Sequence, residues 1–177
     1  MLIHFDSSLP GACPLSEAQS RALLQFCHRV GAATFTVNFL YVKGEDSEQT
    51  ADNFYQRFRS FSAGERVLEN IYGQGFRWQE CWVCQECWVL TDESIEAILT
   101  ETAGDLLAYN VLYIPEDWLL YVGDAILLQI VSHEQEATLK LSESQYAEFT
   151  KLGIPHKQGQ PRWSALPESP LRTNRDP

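Results

Sequence analysis

Apolar positions recur along this chain with two different periods, and the switch between them marks out the elements. Gln19, Ala22, Leu23, Phe26, Cys27 and Val30 fall on one helical face between Ser16 and Gly31. Ser16 with Gln19 has the spacing of a capping box, and Gly31 is a stop. The opposite face carries Arg21, Gln25, His28 and Arg29, so His28 reads as a solvated residue. In "TFTVNFLYV" the period drops to two, with Phe35, Val37, Phe39 and Tyr41 alternating with Thr34, Thr36 and Asn38, which predicts a strand. Beyond the polar loop "KGEDSEQT", Ala51, Phe54, Tyr55 and Phe58 predict a second helix, and Val67, Leu68, Ile71 and Tyr72 a short helical turn before Gly73.

A third helix is predicted from Ile95, Ile98, Leu99, Thr102, Ala103, Leu106 and Leu107, with Thr91 or Asp92 as its N-cap. "VLYI", "WLLYV", "AILLQIV" and "ATLKL" follow as strand-length apolar runs, and Gly123-Asp124 is a two-residue, glycine-first turn. An antiparallel meander from Trp118 to Leu141 is expected, with Ala125 to Val131 as a central strand covered on both sides. The last helix has a capping box in Ser142 and Gln145, a hydrophobic staple in Leu141 and Tyr146, and Gly153 as its stop.

These elements predict an α+β fold: a mainly antiparallel sheet packed with about four helices. A chain of 177 residues suffices for one domain with a sizeable core. The expected boundaries are a single domain over 1–156 and a loose, Pro-rich tail over 157–177, where apolar content is too low to pack. The opening MLIHFDSSLP has an apolar run too short for a signal peptide, and no stretch of eighteen apolar residues predicts a transmembrane helix. The 5 cysteines are odd in number and irregularly spaced, and there is no Asn-x-Ser/Thr acceptor. A soluble protein of a reducing cytoplasm is the expectation.

Charge adds a second layer. The net charge is -11, and from Trp78 to Leu139 there is no Lys or Arg against twelve acidic residues. Such a field disfavours nucleic acid and anionic membranes and favours encounter with a basic protein surface, although acidic residues also serve solubility alone.

The densest candidate chemistry is "QECWVCQECWVL", residues 79–90, where QECWV occurs twice, six residues apart, and Cys81, Cys84 and Cys87 spell overlapping CxxC motifs. An extended strand spreads Cys81 and Cys87 roughly 20 Å apart and turns Cys84 to the opposite face, which forbids a disulfide or a shared zinc ion. A hairpin at Cys84-Gln85 would lack the Gly, Asn or Asp that its turn requires. The ferredoxin-type spacing lacks its fourth Cys and following Pro. The stretch therefore reads as a wall of the fold, with no metal or cofactor expected. One face of that strand reads Trp78, Glu80, Trp82, Cys84, Glu86, Trp88. Indole mixed with carboxylate suits a cationic partner if the face is exposed, or packing beneath helices if it is not. The pair Glu116 and Asp117 joins Trp78, Glu80, Trp82, Glu86 and Trp88 as candidate partner-binding residues.

Complete catalytic motifs are missing. His133-Glu134-Gln135-Glu136 begins like HExxH, but residue 137 is Ala and the setting is a turn between strands. Gly73-Gln74-Gly75 lacks the third glycine of a dinucleotide loop. The sequence thus points to a non-catalytic acidic protein that docks a basic partner, as an inhibitor, immunity-type or adaptor protein would. The rival is a small hydrolase or thiol-dependent enzyme drawing on His133 with Glu134, Glu136 or a cysteine. An uncovered Trp-rich strand face could equally be a homodimer contact.

Overall fold

Ser16 opens the first helix as its spacing to Gln19 requires. Its hydroxyl accepts the Gln19 backbone N–H at 3.3 Å, and the Gln19 side chain returns the bond to the Ser16 N–H at 2.9 Å. The same reciprocal cap starts the third helix at Thr91 and Ser94 and the fourth at Ser142 and Gln145. The computed structural model describes residues 1–11, 14–37, 39–42, 46–65, 81–84, 86–108 and 117–159. Within them lie four α-helices, α1 (Glu17–Arg29), α2 (Asp46–Phe58), α3 (Asp92–Glu101) and α4 (Glu143–Phe149). The strands are β1 (Leu2–Asp6), β2 (Thr34–Val37), β3 (Phe39–Val42), β4 (Ser62–Glu65), β5 (Cys81–Cys84), β6 (Glu86–Val89), β7 (Trp118–Val122), β8 (Ala125–Val131), β9 (Glu136–Lys140) and β10 (Lys157–Gln158).

Eight strands form an open antiparallel sheet in the order β10-β1-β9-β8-β7-β2-β6-β4, and β3 with β5 form a two-stranded extension. The fold is α+β, as expected. The meander is present as β7, β8 and β9, and Gly123 takes φ 58 while Asp124 stays out of the positive-φ region, the pattern of a glycine-first hairpin turn. The strand at Ala125 to Val131 lies between two neighbours, with Leu127, Leu128, Gln129 and Ile130 all buried.

One face of the sheet carries the core. Ile3, Phe5, Phe35, Val37, Trp88, Trp118, Leu120, Leu128, Ile130, Ala137 and Leu139 join one cluster with the buried faces of all four helices. Alternation on the strands requires the intervening residues to face the other way.

Three expectations need amendment. Periodicity carried α3 on to Leu107, but the helix ends at Glu101, because Ala103 (φ 49) and Gly104 (φ 82) turn the chain left-handed. Leu106 and Leu107 are buried nonetheless, held by Asp105, whose carboxylate accepts the N–H groups of Leu15 and Leu107. The opening residues, read only as a broken apolar run, form β1, which pairs with β9 on one side and the short edge strand β10 on the other. Lys157 and Gln158, placed by composition in the tail, pair with β1. The helical turn at Val67 to Tyr72, the strand "VLYI" and the rest of the tail lie outside the described residues.

Within the cysteine stretch, Cys81–Cys84 and Glu86–Val89 are extended. β6 pairs with β2 (Phe35 opposite Trp88) and β5 pairs with β3 (Tyr41 opposite Trp82) in one unbroken register. Among the described residues β5 and β6 do not pair with each other.

Candidate functional site

Six residues from six adjacent strands form a straight row across the face away from the helices: His4, Thr138, Gln129, Leu119, Thr36 and Cys87. Every one of them is at most 8 % exposed, so this row is buried although it is largely polar. Its far side is stitched by a hydrogen bond between the hydroxyls of Thr36 and Tyr121 at 3.2 Å. At its near side, towards β1 and β9, the polar groups become charged.

Register brings those charges to one end of the sheet. Asp6 at the end of β1 lies opposite Glu136 at the start of β9, and Glu136 lies opposite Val131 at the end of β8. Asp117 immediately precedes β7 at the same end, and the backbones of Glu65 and Glu86 pair there on β4 and β6. The short turn Ser132–Glu134 between β8 and β9 adds His133 and Glu134, and closes on Gln135 in the left-handed region at φ 51.

Each carboxylate has a distinct environment. Asp117 is buried and accepts the Ser132 N–H at 3.2 Å, so it organises the turn that carries His133. His133 Nδ1 lies 3.9 Å from Asp117 Oδ1, and its Nε2 lies 3.7 Å from Glu134 Oε1. Both separations exceed hydrogen-bond length. Burial pushes the Asp6 carboxyl upward, but the Ser8 hydroxyl and N–H, with Lys157 and His4 beyond them, outweigh it and hold Asp6 below the ordinary value. Glu136 shows the reverse balance. Burial raises its carboxyl, His4 opposes the rise, and the neighbouring charges of Asp6 and Glu134 reinforce it. His4 Nδ1 sits 3.2 Å from the Gly159 carbonyl and its Nε2 sits 4.0 Å from Asp6 Oδ2. Gln129 adds an unusual element, because its Oε1 is buried with no hydrogen-bond partner.

The acids of α3 are occupied differently. Arg21 bridges Glu17 and Glu96, and Arg57 grips Glu101 through two bonds of 2.5 and 2.6 Å. Asp92 and Glu93 stand in the first turn, and bonds from the backbone and from Thr91 hold Glu93 below the ordinary range. Among the described acids of the stretch from 78 to 139, Glu96 and Glu101 on α3 are paired with arginines, whereas Asp117, Glu134 and Glu136 stand at the sheet end.

The residues singled out from sequence are dispersed. Trp78, Glu80 and Glu116 lie outside the described residues, while Trp82 and Glu86 are placed by strand register alone. Trp88 is fully buried, which withdraws it as a partner contact and fits the alternative of packing beneath a helix: α2 lays Phe54, Tyr55 and Phe58 against it, with ring centroids at 5.6, 5.8 and 6.0 Å. Asp117 is 4 % exposed and serves the turn. His4, Asp6 and Gln129 were not singled out, although Ile3 and Phe5 alternating with His4 and Asp6 is a strand signal that would have placed two of them.

Neither of the two cysteines whose side chains are described is placed as a nucleophile beside His133. Cys27 lies in the helix-side core, where burial pushes its thiol far up, and Cys87 lies on β6, three strands from the β8–β9 turn, or about 14 Å at ordinary strand spacing. No group of three His, Cys, Asp or Glu able to hold a metal ion occurs among the described residues. No described helix is long and apolar enough to cross a membrane. Comparison with protein-family models, with curated proteins and with solved structures finds no match.

Proposed function

We propose that the chain is a non-catalytic acidic binding protein that docks a basic surface of a protein partner at the carboxylate-bearing end of its sheet, as an inhibitor, immunity-type or adaptor protein would. One observation carries the reading: register delivers Asp6, Glu136 and Asp117 to the same end of the sheet, with Glu134 in the adjoining turn. The ion pairs described there involve histidines, whereas Arg21 of α1 and Arg57 of α2 are engaged with α3. Asp6 and Glu134 supply the accessible charge, with side-chain exposures of 22 % and 52 %. Buried Glu136 and Asp117 add to the field behind them. A one-signed field of this kind accelerates encounter with an oppositely charged surface and fixes its orientation.

The test is partner capture at low and high salt with the wild-type chain, with Asp6→Asn/Glu134→Gln, and with Glu93→Gln on α3 as a control. A specific partner whose recovery falls with salt and with the double variant, but not with the control, supports the reading. Capture that is indifferent to salt, or lost equally in the α3 control, refutes it.

A further inference from the structure

The end of the sheet away from Asp117 and Glu136 is apolar and hollow. Three large apolar side chains are exposed among the described residues, Met1, Val89 and Val122, and all three stand at this end: Met1 precedes β1, Val122 closes β7, and Val89 on β6 pairs with Thr34, which also pairs with Tyr121. A cavity of about 320 Å³ opens there, walled by Met1, Val30, Val122, Ile126 and Leu127. A bulge shapes the wall. Leu120 lies opposite Leu128 and Tyr121 opposite Ile126, so Leu127 is an extra residue in β8. Pleating sends consecutive side chains to opposite faces, but this irregularity lets both Ile126 and Leu127 reach one cavity. Met1 is held at the rim by the Leu141 N–H, which donates to the Met1 carbonyl at 2.7 Å. Lys140 is the sole charged side chain of the lining, and no salt bridge among the described residues engages it. Gln145, beside it in the lining, spends its side-chain oxygen on the Ser142 N–H at 2.8 Å, which leaves its amide N–H groups to donate elsewhere.

We propose that this cavity binds a medium-chain aliphatic carboxylate, with its chain along the wall and its head at Lys140 and Gln145. The site is separate from the acidic end and stands independently of the docking reading. Its volume lies at the lower end of ligand cavities, roughly 300–1,000 Å³, which suits a single short chain. The wall has no aromatic ring to stack a planar ligand, and its branched aliphatic side chains with Met1 conform to a flexible one. The lining holds an ammonium, an amide donor and no carboxylate, so the head that complements it is anionic. Asp124 and Glu143 are close in sequence, but neither lines the cavity. Glu136 lies four strand steps from Lys140, roughly 13 Å, beyond the screening length of about 8 Å at physiological salt. A second copy docked on the same apolar end is the rival, and at a net charge of -11 each copy would repel the other.

The experiment titrates the full chain with hexanoate, octanoate and decanoate, each below its micelle concentration, following the methyl signals of Val122, Ile126 and Leu127 by NMR. Saturable shifts at these methyls are expected, with affinity rising about two- to fourfold per added methylene until the cavity is filled. Neutral octanamide and cationic octylammonium should both bind more weakly than octanoate. Lys140→Gln should weaken octanoate about three- to fivefold and leave octanamide unchanged, a split that a merely structural role of Lys140 would not produce. Val122→Glu, a change at an exposed position, puts a carboxylate into the wall and should abolish binding of the three acids. Shifts that do not saturate, affinity independent of chain length, equal binding of octylammonium, or octanoate binding untouched by both variants overturn the proposal. Methyl signals that move with protein concentration and not with octanoate would assign this end to contact between copies, and overturn it as well.

Discussion

Phe35 and Trp88 face each other across β2 and β6, with ring centroids 5.5 Å apart and planes inclined by 29°. Both are fully buried, and Phe54 and Phe58 of α2 close over them. This pair joins the sheet to the helix layer, so Trp88→Ala should destabilise the protein by about 3–5 kcal/mol. The Trp88 indole N–H has no hydrogen-bond partner, so Trp88→Phe loses volume but no hydrogen bond. Its penalty should be clearly smaller. Urea denaturation of both variants checks the ordering, and equal midpoints would mean that the indole N–H matters more than the packing.

Gly104 closes α3 at φ 82, and a Cβ placed there would come within 2.9 Å of the Glu17 Cβ at the start of α1. Gly153 ends the helical segment after α4 at φ 69 with nothing within 4 Å of the equivalent position. Gly153→Ala should therefore show only the left-handed backbone penalty, about 1–2 kcal/mol. Gly104→Ala must in addition push α1 away from the α3 turn, and its denaturation midpoint should drop further. If the two variants unfold at the same denaturant concentration, the close approach of Gly104 to Glu17 is not a constraint.

The helix starts and the meander were legible in the sequence because local chemistry dictates them. Ser16, Thr91 and Ser142 each stand where a cap must be, and Gly123 supplies the φ that a tight hairpin needs. What was illegible depended on neighbours distant in the chain. Trp88 and Cys87 alternate in any strand, but only the docking of α2 decides that the indole side meets the core. β1 escaped notice because His4 and Asp6 break its apolar run, and its place in the sheet depends on β9, which begins 130 residues beyond Asp6. The same holds for the site. Glu136 reads as a turn residue until the Asp6 pairing puts two carboxylates face to face. Gln129 looks like a solitary polar break in "AILLQIV" until its oxygen is found buried and unpaired.

Cys27 is completely buried on the inner side of α1, and that burial pushes its thiol far above the ordinary range. The nearby Arg29 offsets only part of the effect. A thiol held in that form reacts through unfolding, because the thiolate is the nucleophile. In a thiol-quantification assay, Cys27 should stay unmodified in native buffer and react fully in denaturant, and peptide mapping would identify it. Rapid native-state labelling of Cys27 would show that α1 opens locally far more often than its packing implies.

Glu136 gives the sheet end a pH dependence whose sign follows from its raised carboxyl. Burial raises it first, Asp6 and Glu134 add to the rise, and His4 only partly opposes them. The folded state therefore holds this proton more tightly than the unfolded state does. Stability is greatest below the unfolded value, near 4.5, and is lost as pH climbs through the raised folded value. At neutral pH the ionised Glu136 works against the fold, so Glu136→Gln should raise the midpoint of unfolding there. The advantage should shrink as pH falls towards 4.5 and vanish below it, where wild type and variant are both neutral at this position. Asp6 tilts the other way, since its lowered carboxyl contributes stability above 3.8 that is lost as pH falls through the folded value. Asp6→Asn should accordingly be destabilising at pH 7 and neutral in strong acid. Parallel denaturation curves of the two variants between pH 3 and pH 8 separate these opposite slopes. A Glu136→Gln gain that persists unchanged at low pH would mean that the glutamine packs better than the acid, and that charge at this position is not what strains the fold.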